Sequence, residues 1–218
     1  MTSVGEGRVP NWTILLIIGS SATGKTTLAG ALRQHYGGVS VLHMDDMRLA
    51  VEQITISAQH PSIHRFLSDP AIWRDAGAVR DALIATAETL EPAVAIVIAN
   101  HLDQPEMGPL IIEGDSILPR TANPAYAASL PQLVARALFA RVRALCVCEA
   151  EETALFAAMQ ARKRGFAQYT IAEQHGQARG KWLYGEYLRT EAEKYAIPVL
   201  PARSYHTTLS RALHLLNT

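Results

Sequence analysis

The chemistry available to this chain is concentrated in residues 19–26, Gly-Ser-Ser-Ala-Thr-Gly-Lys-Thr. The spacing is G-x-x-x-x-G-K-[ST], a loop whose backbone N–H groups wrap the phosphates of a nucleoside triphosphate. Gly19 and Gly24 let the main chain close on those phosphates, with Ser20, Ser21, Ala22 and Thr23 between them and Thr27 just beyond. Lys25 is expected to span the β- and γ-phosphates, and Thr26 to offer its hydroxyl to Mg²⁺. A lysine at a helix start opposes the helix dipole unless an anion sits beside it, so Lys25 itself argues for a phosphate ligand.

Three further groups could take part in transfer. Asp45 and Asp46 follow an apolar run, and one of them can accept the proton of an attacking hydroxyl while the other contacts a metal-bound water or the substrate. Asp45 is the preferred base. Glu113 ends a second apolar run, a position suited to a metal-bound water or to polarising the acceptor; its plainer reading is an acid at a strand turn. Arg162, Lys163 and Arg164 precede Gly165. They are expected either to swing an arginine onto the transferred group as a lid closes, or simply to complement a helix C-terminus. Arg48 could hold an anionic substrate or be a solvated helix charge.

These residues need strands that end together. Residues 13–18 read as a buried parallel strand, and Leu28, Ala31, Leu32 and Tyr36 repeat at helical spacing up to Gly37-Gly38. Further strands are expected at 39–43, 110–115, 143–148 and 197–200. In an open parallel sheet, ligands bind outside the carboxyl ends of the strands, where the loop and the acids fall. A weak helix is expected over 48–59. A firm one is expected from an Asp69 N-cap and Pro70 to Glu91, broken or kinked at Pro92. Residues 93–99 fit a strand or a helix, with helix preferred. Asn123-Pro124 and Pro131 open short helices, and Glu149, Glu151 and Glu152 crowd the first turn of another. A polar, Gly-containing stretch to Gly180 reads as a mobile lid spanning about 160–180. Helices are expected around Trp182, Tyr187, Leu188 and Tyr195, and over 208–216. Five strands alternating with helices make one α/β domain over residues 1–218, a parallel sheet covered on both faces.

Composition narrows the partners. The 218 residues carry 20 Lys+Arg and 20 Asp+Glu, without the basic excess expected of a nucleic-acid or membrane-surface protein. The longest apolar runs look too short to span a membrane, and residues 1–10 lack the apolar core of a signal peptide. Cys146 and Cys148, two apart on an expected strand, read as small buried side chains badly placed to bond each other. A small-molecule substrate and a cytoplasmic location are therefore expected. His60 and His64 are i, i+4, but Pro61 between them spoils a helical metal site.

Residues 19–27, 43–48 (His-Met-Asp-Asp-Met-Arg) and 111–114 (Ile-Ile-Glu-Gly), with Arg162 and Arg164, resemble the P-loop small-molecule kinases of adenylate-kinase-like architecture. Within that group, the D-D-x-R step and the I-I-E-G-x-x-I-L-P segment look most like 2-phosphoglycerate kinases. The resemblance implies a three-layer fold with sheet order 2-3-1-4-5, ATP as donor, Mg²⁺, and an acceptor site built from the helical segment 48–107. It also implies that the loop around Arg203-Ser204-Tyr205 borders the adenine. The expected activity is transfer of the γ-phosphoryl of ATP to a small acceptor, a phosphorylated acid or another hydroxyl compound. The alternatives are a nucleoside or nucleotide kinase, and a non-catalytic ATP-binding regulator; no N-K-x-D segment of the GTPase kind is present.

Overall fold

The computed structural model describes residues 9–127, 138–162 and 165–217. Its five strands are β1 (Ile14–Ile18), β2 (Ser40–His43), β3 (Leu110–Gly114), β4 (Val142–Cys148) and β5 (Val199–Pro201). They pair in parallel in the order β2-β3-β1-β4-β5, as expected. β1 lies at the centre, in register with β3 from Ile14 opposite Leu110 to Ile18 opposite Gly114. All five of its residues are buried, which explains an apolar run without polar alternation.

Alternation reappears in which layer each side chain joins. Ile14, Leu16 and Ile18 pack into one core, while Leu15 and Ile17 pack into the other. The second core is covered by α1 (Lys25–Tyr36) and α8 (Thr208–Asn217), through Leu28, Leu32, Ala212 and Leu216. The first is covered by α4 (Ala76–Asp103) and α7 (Ile171–Lys194), through Leu90, Val94, Ile98, Tyr184 and Leu188. The remaining helices are α2 (Met44–Ile54), α3 (Pro61–Ser68), α5 (Pro124–Ala127) and α6 (Glu152–Ala161). Cys146 and Cys148 are buried and unbonded, with Sγ atoms 3.4 Å apart.

Several boundaries differ from expectation, while the preferred helix over 93–99 is found. The helix placed from Asp69 starts instead at Ala76, where Asp75 Oδ1 accepts from the Ala78 N–H at 3.0 Å. Pro70 opens a short 3₁₀ turn, and Asp69 pairs with Arg65. Pro92 does not break the helix, so 93–99 is helical and α4 runs through 28 residues. That makes α4 long and apolar enough, by length and composition, to cross a membrane, which the separate runs of the sequence did not suggest. Here it is a core helix. α2 starts directly after β2, earlier than the expected 48, and ends at Ile54. The polar stretch read as a lid to Gly180 is helical from Ile171, begun by a reciprocal cap between Thr170 and Glu173. The helix start expected at Pro131 lies outside the described residues.

A buried carboxylate fixes α4 where Pro92 removes a helix donor. Glu91 accepts from Arg120 Nη2 at 2.7 Å and from Thr121 Oγ1 at 2.9 Å. These bonds raise the pKa of the guanidinium above its ordinary value. Glu91→Ala leaves Arg120 and Thr121 without this acceptor and is expected to cost about 2 kcal/mol. Calorimetry should then show the melting temperature ~4–8 °C lower; an unchanged melt would show that the network contributes nothing.

Candidate active site

The loop after β1 must turn back sharply to start α1. Gly19 has φ +151°, and a Cβ there would lie 2.2 Å from the Val147 carbonyl oxygen, so glycine is required. Inside the loop, Thr23 Oγ1 and Lys25 Nζ both donate to the Ser20 carbonyl, at 2.9 and 2.8 Å. Lys25 is 7 % exposed, its ammonium held within the curl of the loop. Ser20 Oγ donates to the Lys181 carbonyl at 2.6 Å, and Ser21 Oγ to Asp115 Oδ2 at 2.9 Å. The loop is thus tied to α7 on one side and to the end of β3 on the other.

The carboxyl ends of β2 and β3 deliver the acids. Glu113, 5 % exposed, accepts on Oε1 from Thr26 Oγ1 at 2.8 Å and from the Nδ1–H of His43 at 2.6 Å. The two expected metal groups, Thr26 and Glu113, are therefore in direct contact, with His43 as an unforeseen third member. Asp45 lies in the first turn of α2. The residue is exposed as a whole, yet its carboxyl is crowded by protein and feels Asp115, Lys25, Arg48 and Glu113. Burial first, and Asp115 next, raise its pKa above the ordinary 3.8. Asp46, beside it, is exposed. Arg48 pairs with Glu52 at 2.6 Å along the same helix, the helix-charge reading, while its charge still reaches Asp45.

Against the loop lies a cavity of about 560 Å³. Its walls come from Gly24, Lys25, Thr26 and Thr27, from the alanine face of α6, and from Arg162, Arg203, Tyr205 and Leu209. Arg203 is fixed by Glu149, 2.6 Å from its Nε, and by the Ala154 carbonyl, 2.9 Å from Nη2. Its guanidinium lies 4.6 Å over the Tyr205 ring. Glu149, expected in a helix first turn, is instead the buried counterion of this arginine, since α6 begins at Glu152. Arg162 follows the end of α6, exposed and lining the cavity, and its charge is felt at Lys181. Arg164 and Lys163 lie outside the described residues.

The sequence assigned no role to His43 or Lys181. His43 closes β2 directly before the acidic pair, which was its available signal. Lys181 had none, because a helix 160 residues from the loop brings it there. Among the described residues no group of three or more His, Cys, Asp or Glu could hold a metal by itself.

A search of curated proteins finds no match for the chain. A family model described as isopentenyl transferase matches residues 12–132, which covers β1, the phosphate loop, the Asp45 turn and β3 with Glu113. This supports a P-loop transferase that uses an ATP-type nucleotide, and not 2-phosphoglycerate kinase in particular. On that match, more than half of its length, the chain belongs to the isopentenyl transferase family of P-loop enzymes.

Proposed function

We propose that this protein transfers the γ-phosphoryl group of ATP to a small-molecule acceptor. The observation that carries this reading is the 560 Å³ cavity that shares Gly24, Lys25 and Thr26 with the phosphate loop. A nucleotide whose phosphates occupy the loop has its base within reach of that cavity, whose walls combine alanines and leucines with threonines, the Tyr205 ring and two arginines. The Lys25 charge acts through space on the Asp45 carboxyl. There the acceptor hydroxyl gives its proton to the Asp45 carboxylate as its oxygen bonds the γ-phosphorus. The bond to the β,γ-bridging oxygen breaks and ADP leaves. Lys25 meets the charge that develops on the β- and γ-oxygens. Thr26 and Glu113 are the residues that would hold Mg²⁺; bound there, the ion neutralises phosphate charge.

The family match favours a second reading, isopentenyl transfer from a prenyl diphosphate. In that reading the loop would cradle the diphosphate, the acceptor would bond the prenyl C1 as the C1–O bond breaks and diphosphate leaves, and Asp45 would take the acceptor's proton. One assay separates the two. The full chain is supplied with Mg²⁺ and either γ-³²P-labelled ATP or a labelled prenyl diphosphate. The acceptors offered are phosphorylated acids (2-phosphoglycerate among them), sugars, nucleosides and adenine nucleotides. Label from ATP on an acceptor supports the first reading. Prenyl label on a nucleotide, with none from ATP, replaces it with the second.

A further inference from the structure

α7 approaches the rest of the molecule unusually closely, for a reason visible in its glycines. A Cβ at Gly176 would lie 2.2 Å from the Trp73 carbonyl oxygen, and one at Gly180 would lie 2.5 Å from Val79 Cβ. The missing side chains let α7 lie directly against α4 and the 3₁₀ turn that carries Trp73. The neighbouring pair Gln177 and Lys181, also four apart, is thereby set beside Trp73. Lys181 Nζ lies 5.8 Å over the Trp73 ring and donates to Gln177 Oε1 at 3.4 Å. Phe66 stacks on the Trp73 ring at 4.6 Å, fixing its orientation.

The cations near the loop differ in what engages them. Lys25 belongs to the donor phosphates, Arg48 is paired with Glu52, and Arg203 with Glu149. Among the described residues, Lys181 has no carboxylate within ion-pair distance. Asp115 and Asp45 act on it only through space, opposed by Arg162 and Lys25. Lys181 keeps part of its surface in solvent, yet the protein crowded around its ammonium pushes its pKa down to about 8. An ammonium so crowded and without a carboxylate partner gains from any oxyanion that reaches it. Gln177, 5 % exposed, accepts through Oε1 and keeps its amide N–H groups to donate.

We propose that Lys181, Gln177 and Trp73 form an oxyanion-binding subsite on the Asp45 side of the phosphate loop, and that the acceptor carries a phosphate or carboxylate held there. The subsite stands on its own geometry; that its occupant is the acceptor rests on the transfer reading above. It would make the substrate class a phosphorylated or carboxylic hydroxy compound, with its hydroxyl at Asp45 and its anion at Lys181.

The test uses the full chain saturated with a non-hydrolysable ATP analogue and Mg²⁺, so that the loop no longer competes for anions. Trace acetylation at about pH 8, read by mass spectrometry, reports the accessibility of Lys181, with the exposed Lys194 as internal control. Inorganic phosphate or glycerate is expected to protect Lys181 several-fold, and glycerol not at all. Phosphate alone protecting marks a phosphorylated acceptor; glycerate alone marks a carboxylate. No protection by either anion overturns the subsite. With any acceptor found in the transfer assay, K181M is expected to raise KM at least ten-fold for an anionic compound, K181R to restore it, and neutral acceptors to be unaffected. Transfer confined to neutral acceptors and indifferent to K181M overturns the subsite and leaves phosphoryl transfer intact. Protection without any ATP-dependent transfer leaves the subsite and removes the transfer reading.

Discussion

Asp45→Asn is expected to lower turnover about 10²–10⁴-fold, the usual contribution of a positioned base, and at the same time to raise the melting temperature. The two effects share one cause. Crowding and the neighbouring Asp115 make the charged form of Asp45 costly in the folded protein, which is why its pKa is raised. A carboxyl with a raised folded pKa favours folding below its unfolded value, and that contribution is lost as pH rises through the folded value. Asparagine carries no such cost. The melting temperatures of the two proteins should therefore coincide at pH below 3.8 and separate as pH rises through the raised pKa, with the variant higher. Wild-type turnover should fall on acidification at a higher pH than an ordinary aspartate would give, because the base works only as the carboxylate. Calorimetry and pH–rate profiles check both. A variant that melts lower than wild type at neutral pH would show that Asp45 stabilises the fold and is not a poised base.

Lys25→Met is expected to cut turnover about 10²–10³-fold, the range for losing one preorganised charge-stabilising donor. Methionine keeps the buried stem, so the fold should persist; what disappears is the ammonium that donates to the Ser20 carbonyl. Wild type at an ATP concentration near 100 times its Kd should gain about 2.7 kcal/mol of stability from binding, and the variant much less at the same concentration. Thermal shifts with and without Mg·ATP, followed by single-turnover kinetics, read these two effects separately. Undiminished shift and turnover in the variant would remove Lys25, and with it the loop, from the reaction.

The central part of the fold was legible because its signals are local. The loop's spacing, the apolar run before it and the helical repeat after it lie within 25 consecutive residues, and each strand is a short apolar run bounded by turn residues. What misled was punctuation whose meaning depends on partners far away. Pro92 reads as a breaker, yet Arg120 and Thr121 grip the adjacent Glu91 and the helix passes through. Gly176 and Gly180 read as loop residues because exposed helices avoid glycine; here they are contact points, and bulk rather than flexibility decides them. Asp69 and Asp75 are equally good N-caps by type, and only packing selects the second. The candidate site divides the same way. Glu113 and Asp45 sit at strand ends that can be read in sequence, whereas Lys181 reaches the site by tertiary packing alone.

The glycine contacts of α7 have a consequence for how this chain can change. Successive helical residues are rotated by about 100°. A one-residue deletion between Ile171 and Gly176 would therefore turn Gly176, Gly180 and Lys181 away from their neighbours together, although no site residue had been replaced. Substitutions on the outer face of this helix should be readily accepted, while its length behaves as a fixed gauge. Insertions and deletions in descendants of this sequence should gather in the turn before Thr170 and after Tyr195, and spare the helix between.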